Sequence, residues 1–264
     1  MQVSNLTMRF GGIIAVDNLS FEVEKSSITA LIGPNGAGKT SAFNCLTGFY
    51  KATEGSIIYN GQSLLGLLPY QITYKSIIRT FQNVRLFKNM TVLENVMSGA
   101  HSTGRQFILG ALLRTKAQRN EEREILANAM HCLDFIGISE MKDKVAKNLS
   151  YGDQRRTELA RALAAKPSLL LLDEPAAGLN REEKDNLVTL IRRFRDELGI
   201  TVFLIEHDMN LVMEVSEKVV VINFGKKIAE GTPAEVQANT LVIEAYLGSE
   251  EDERESSPPL RIGS

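Results

Sequence analysis

Neither charge is in surplus: 30 Lys and Arg stand against 32 Asp and Glu, a formal net charge of −2. Binding nucleic acid by mass of charge leaves a basic excess, so a protein whose main work is wrapping nucleic acid is excluded. Cysteine is nearly missing. Cys45 and Cys132 stand far apart, which excludes a disulfide framework, and they show no spacing to His that reads as zinc. A reducing cytosol suits such a chain. From Met1 to Phe10 polar and apolar residues alternate, with no basic start and no apolar block, so no signal peptide is expected. The longest run without charge, Gly55 to Tyr74, holds Asn60, Gly61, Gln62, Gly66, Pro69 and Gln71, whereas a spanning helix needs about 20 mostly apolar residues. That run reads as a surface excursion, and contact with a membrane is expected through a partner. Internal repeats are missing as well.

What is present is the composition of a soluble globular protein, 264 residues with 44% apolar and 23% charged, long enough for one large domain or two small ones. Short β-rich runs alternate with helical stretches, which predicts an α/β fold with a mostly parallel sheet. Ile28 to Ile32, Leu169 to Leu172, Thr201 to Ile205 and Val219 to Ile222 are apolar on consecutive residues, as in strands covered on both faces. Leu19, Phe21 and Val23 alternate with polar neighbours, and Ser56 to Tyr59 ends on the turn dipeptide Asn60-Gly61, so an antiparallel section is expected near the N-terminus. After Asn180, a cap followed by Glu182 and Glu183, the residues Leu187, Leu190, Ile191, Phe194 and Leu198 recur at helical spacing up to Gly199. From about 91 to 165 the composition becomes helical, with a stripe of Ile125, Leu126, Ala129, Met130, Leu133 and Ile136. This predicts a helical subdomain inside a domain covering 1–248. The mixed charges of Lys116 to Glu124 read as its solvated face, and 249–264, acidic and then Ser-Ser-Pro-Pro, as a disordered tail.

Chemistry enters at Gly33-Pro34-Asn35-Gly36-Ala37-Gly38-Lys39-Thr40, followed by Ser41, after a strand and before an apolar helical stretch. This is the context required of G-x-x-x-x-G-K-[ST]. Its glycines let backbone N–H groups surround phosphate oxygens at a helix N-terminus; Lys39 neutralises the β- and γ-phosphates and Thr40 offers a hydroxyl to Mg²⁺. Leu169 to Leu172 end on Asp173-Glu174. Asp173 is placed to hold Mg²⁺ and Glu174 to act as general base on the attacking water.

Together with Leu149-Ser150-Tyr151-Gly152-Asp153-Gln154, Gln82 in Arg79-Thr80-Phe81-Gln82-Asn83, and His207 in Ile205-Glu206-His207-Asp208, these motifs resemble the ATP-binding subunits of ABC transporters, from about Val3 to Gly248. The resemblance implies a P-loop NTPase core and an ATPase using ATP and Mg²⁺. It also implies a second ATP-binding subunit, identical or related, whose ATP faces the helix opened by Ser150 and Gly152. By the same resemblance Gln82 contacts Mg²⁺ and the attacking water, His207 the γ-phosphate, and Phe10 stacks on adenine. Ser-Tyr-Gly-Asp-Gln-Arg-Arg, Pro-Ala-Ala-Gly-Leu-Asn, Glu-His-Asp-Met and a late Gly-Thr-Pro are similar to the ATPase subunits of branched-chain amino acid importers. That implies transmembrane permease subunits, a solute-binding protein contacted only indirectly, and a cytoplasmic, peripheral place on the inner face of the membrane. Other cargoes (urea, short peptides, lipopolysaccharide) and a soluble ABC ATPase stay open on the same motifs, while a P-loop small-molecule kinase leaves Leu149 to Gln154 unexplained. Tyr151, Asp153 and Asn180 depart from the commonest family pattern, which has Gly, Gln and often Asp there. Phe87 and Met90, with Phe107, Ile108, Leu109, Leu112 and Leu113, supply apolar groups either for docking a permease or for a small local core.

Overall fold

A computed structural model describes residues 1–101 and 116–255, in which the chain divides into two units. The first comprises Met1–Glu24, Ile28–Gly66 and the described residues from Ile205 onward; the second comprises Lys25–Ser27 and the described residues of Leu67–Leu204.

Period-two alternation builds the first unit's antiparallel sheet. Strands β1 (Gln2–Phe10), β2 (Ile13–Glu22), β4 (Glu54–Tyr59) and β5 (Gln62–Ser63) lie in the order β2-β1-β4-β5. Val3 stands opposite both Phe21 and Ile57, and Leu6 opposite Leu19. These residues are buried, whereas Gln2, Ser4, Asn5, Asn18 and Glu22 beside them are exposed, so a slip of one residue would turn much of the apolar set to solvent. The same unit holds β3 (Ile28–Ile32), parallel to β9 (Lys218–Asn223), and β10 (Lys226–Gly231), antiparallel to β9. All of β3 is buried and Val219 to Ile222 are fully so, as continuous apolar runs require. Its described helices are α1 (Lys39–Leu46), α7 (Met209–Val215), α8 (Pro233–Gln237) and α9 (Thr240–Glu255). Helix α9 runs into the acidic stretch that composition predicts to be disordered, because Glu and Arg favour helix once a preceding turn exists. Residues 256–264 of the expected tail lie outside the described residues.

In the second unit, β6 (Ile77–Arg79), β7 (Leu169–Asp173) and β8 (Thr201–Ile205) lie in the order β8-β7-β6, with β6 and β7 parallel. Its described helices are α2 (Pro69–Thr73), α3 (Val92–His101), α4 (Lys116–Ile136), α5 (Tyr151–Ala164) and α6 (Arg181–Asp196). Helices α3, α4 and α5 pack on one another, in the stretch whose composition reads as helical. On α4, Ile125, Ala129, Leu133 and Ile136 are buried, but Leu126 is 42% exposed; it stands on the adjoining column of the helix, outside the i, i+4 row. Asn180 caps α6 reciprocally with Glu183, the Asn180 side chain accepting from the Glu183 N–H at 3.0 Å and the Glu183 carboxylate from the Asn180 N–H at 2.9 Å. Leu187, Leu190, Ile191 and Phe194 go inward, each contributing about 1.5–3 kcal/mol by burial. Leu198, predicted to continue that stripe, lies past the helix end and is half-exposed.

Candidate active site

In the first unit β3 delivers the chain into the loop 33–38, and α1 begins at Lys39. A Cβ at Gly38 would lie 2.2 Å from the Ala15 carbonyl oxygen, and its φ is +100°, so only glycine passes there. The Ala37 carbonyl accepts from the Gly225 N–H at 2.9 Å, and the Gly225 carbonyl from the Asp17 N–H at 2.9 Å. The loop is thereby tied to the β9–β10 turn and to β2. Lys39 is buried, and its Nζ donates to the carbonyls of Gly33 at 2.6 Å and Pro34 at 2.8 Å. An ammonium withdrawn from water needs such acceptors; the bonds hold the cation inside the loop whose N–H groups would face phosphate. From α9 the Tyr246 phenol lies against the Gly33 N–H; burial pushes its pKa up to about 12 while that N–H pulls it down.

Phe10 is half-exposed, its ring edge-on to Tyr50 at 5.2 Å between centroids, a surface aromatic rather than a core one. The His207 side chain is exposed, and its Nδ1 lies 4.0 Å from Oε2 of the buried Glu206. That oxygen accepts from the His207 N–H at 3.2 Å, and Asp208 caps α7 by accepting from the N–H groups of Asn210 and Leu211. Two carboxylates thus fix the backbone on which His207 stands.

In the second unit β7 ends on Asp173, and Glu174 follows with φ +46°. A bulky side chain in the left-handed region is strained, and such strain collects at functional sites. The Gln82 amide Nε2 donates to Glu174 Oε2 at 2.7 Å. The Arg79 guanidinium donates to Asp173 Oδ2 at 2.6 Å, both side chains being nearly buried. Sequence reasoning placed Gln82, Asp173 and Glu174 in one reaction; the fold brings all three to the ends of two adjacent parallel strands.

Ser150 caps α5, its hydroxyl accepting from the Asp153 N–H at 3.2 Å. Asp153 turns back to an ion pair with Arg156, so the acid that departs from the family pattern is neutralised within its own turn. A Cβ at Gly152 would stand 2.0 Å from Glu183 Oε1, so any larger residue there would push the Glu183 carboxylate off the cap of α6. A cavity of 380 Å³ opens here, lined among others by Ser150, Gly152, Arg156, Asn180 and Glu183. Phe87 and Met90 are exposed, while Phe107, Ile108, Leu109, Leu112 and Leu113 lie outside the described residues.

Three side chains beside these residues escaped sequence reasoning. Arg79 was visible as a charged residue inside an apolar run, yet its partner Asp173 stands 94 positions away. Arg155 is fully buried but sits in a stretch that reads as an ordinary amphipathic helix. Tyr246 carried no local signal at all.

Within the first unit, a glycine loop closed to any Cβ at Gly38, an internal ammonium and the hydroxyl of Thr40 suit a phosphate chain; within the second, Asp173 offers a carboxylate of the kind that holds a divalent cation. Comparison with known proteins agrees. The family model described as ABC transporter matches residues 16–177, and the one described as branched-chain amino acid ATP-binding cassette transporter matches residues 226–252. The chain is 49% identical to the high-affinity branched-chain amino acid transport ATP-binding protein BraF of Pseudomonas aeruginosa, over 94% of this chain and 97% of that protein. It is 48% identical to LivG of Escherichia coli K12, a high-affinity branched-chain amino acid transport ATP-binding protein, with the same coverage. Among solved structures, MJ1267 in its ADP conformation, an ATP-binding cassette of an ABC transporter, superposes with a TM-score of 0.81 at 31% identity, over 94% of this chain and 98% of that one.

Proposed function

The chain belongs to the ABC transporter family of ATP-binding proteins, and from that premise we propose that it is the ATP-hydrolysing subunit of an importer of branched-chain amino acids. The observation that carries the hydrolytic part is the 2.7 Å bond between Gln82 and Glu174 beside Asp173; the cargo rests on the names of relatives that match nearly its whole length.

When bound, ATP supplies the phosphoanhydride bond and Mg²⁺ spreads the charge of its β- and γ-phosphates. The chain does the rest. Backbone N–H groups from Gly33 to Thr40, with Ser41 next, enclose the phosphates, and Lys39 exchanges its two carbonyl partners for phosphate oxygens. Thr40, Gln82 and Asp173 would hold the cation, with the Arg79 guanidinium fixing the Asp173 carboxylate through Oδ2. Glu174 Oε1 or Oε2 accepts the proton of the attacking water, which the Gln82 amide orients. His207 would contact the γ-phosphate and Phe10 would stack on adenine. Ser150 and the N–H groups after it close over the nucleotide of a second copy or a related subunit. The exposed Phe87 and Met90 dock on a transmembrane permease, which places the chain on the inner face of the membrane, and the amino acid itself never touches it. Among the described residues no helix is long and apolar enough to cross a membrane.

Glu174→Gln tests this reading. The amide keeps shape but cannot take a proton, so phosphate release should stop while ATP stays bound and the ATP-dependent dimer accumulates on size-exclusion chromatography. Wild-type turnover in that variant removes Glu174 from the mechanism.

A further inference from the structure

Beneath the loop that carries Gln82 lies a buried ion pair on the same helix that opens at Ser150. The Arg155 guanidinium donates to the carbonyl of Phe81 at 2.8 Å and of Gln82 at 2.6 Å, and to Glu158 Oε2 at 2.9 Å. Both side chains of the pair are 1% exposed. Glu158 Oε1 in turn accepts from the Arg85 N–H at 3.1 Å, and the Phe81 ring lies under the guanidinium groups of Arg79 and Arg85, at 5.2 and 4.1 Å. The segment 81–85 is therefore fastened at both ends to α5. Burial raises the pKa of Glu158, opposed first by the Arg85 N–H and then by the charges of Arg155 and Arg161.

Stability alone does not account for this arrangement. Two charges withdrawn from water recover little more than their desolvation cost, and apolar residues of similar volume serve packing as well or better. What an apolar pair cannot supply is a planar fork that grips two consecutive carbonyls at a fixed distance from a helix axis. The fork also reaches the first turn of that helix: Arg155 Nη2 lies 3.4 Å from the Tyr151 hydroxyl. One guanidinium thus touches both the turn that follows Ser150 and the residue whose amide reaches Glu174.

We infer that Arg155 is a positioning residue that transmits the placement of the Ser150 helix to Gln82, with Glu158 holding its fork in register. The inference rests on the reading of Gln82 given above and extends it: closure of the Ser150 helix over a nucleotide and alignment of Gln82 become one motion.

The test uses the full chain, with steady-state ATPase rates at saturating Mg²⁺ and ATP, and affinity measured with a fluorescent ATP analogue. Arg155→Lys keeps the charge without the fork, and Arg155→Met combined with Glu158→Gln removes the pair while leaving an acceptor for Arg85. Each is made alone and with Gln82→Ala. In the wild-type background both should lower kcat by about tenfold, with KM for ATP shifted less than about twofold and the melting temperature of Arg155→Lys retained. With Gln82→Ala present, the same changes should cost less than about twofold further, since two members of one unit are not additive. Losses of equal size in both backgrounds, or a wild-type kcat in Arg155→Lys, overturn the inference. A Gln82→Ala chain that turns over at the wild-type rate overturns the reading of Gln82 itself, and the inference with it.

Discussion

At the scale of the residue, the phosphate loop and the cap beside Gly152 show two ways in which a side chain, or its absence, is dictated. Lys39 is held by the carbonyls of Gly33 and Pro34, acceptors that, on the function proposed above, phosphate oxygens would replace at greater strength because both partners are then charged. Lys39→Ala should weaken ATP binding by roughly tenfold or more and abolish measurable turnover; isothermal titration with near-normal affinity would contradict it. At Gly152 the neighbour is the far end of the Glu183 side chain, which can swing away. Gly152→Ala should therefore cost about 1 kcal/mol, the worth of the displaced capping interaction, and almost nothing more once Glu183→Ala is present. Urea unfolding of the two single variants and the double would show it, additive losses being the contrary result. The loop at 33–38 between a strand and a helix was legible in the sequence because eight consecutive residues impose the turn. That Asp173 and Glu174 stand at the end of a buried strand was legible from the apolar run before them. The Arg79–Asp173 pair and the Arg155 fork were not, because each joins segments more than seventy positions apart, and no residue spacing records such a distance.

Among the elements, helix α6 was readable from end to end at its start and less so at its finish. Its cap, acidic first turn and apolar stripe all appear where the spacing puts them, whereas Leu198 falls beyond Asp196 because Glu197 and Gly199 close the helix before the next turn. Asn180→Ala should destabilise the second unit by about 1 kcal/mol, and Asn180→Asp by much less, since both Asn and Asp accept from the N3 amide. Chemical denaturation distinguishes them; equal losses would deny the cap its role. The fully buried strands β3, β7 and β8 were plain from continuous apolar runs. Strand β6 was not, since three residues, the last of them Arg79, are too short for any pattern to register. Its pairing with β7 is a long-range event, decided by Ile77 and Ile78 facing Leu169 and Leu170.

For the whole molecule, the two cysteines set a limit at alkaline pH. Burial pushes both thiols up to about 11 from an ordinary value of 9.0, with Lys166 slightly opposing this at Cys132. A pKa raised by folding means that the folded chain holds the proton longer than the unfolded one. The associated stability is complete below pH 9.0 and is lost as pH rises through about 11. The loss should reach roughly a few kcal/mol over that window. Urea midpoints measured across the window should fall, and should fall less in a Cys45→Ala, Cys132→Ala chain; an unchanged slope would refute the assignment. Composition told only that these thiols are few and unpaired. That they lie inside, Cys45 on α1 and Cys132 on α4, follows from helical faces that local pattern assigns only in part.

The chain has no tryptophan and six tyrosines, so its intrinsic ultraviolet fluorescence is tyrosine fluorescence. Of these, Tyr50, Tyr70, Tyr74 and Tyr151 are exposed and emit from a wet surface. Tyr246, with its phenol on the Gly33 N–H, emits from the wall of the phosphate loop. On the function proposed above, Tyr246 would serve as an unlabelled optical gauge of nucleotide at that loop, and the difference between the spectra of the native chain and a Tyr246→Phe chain isolates its signal.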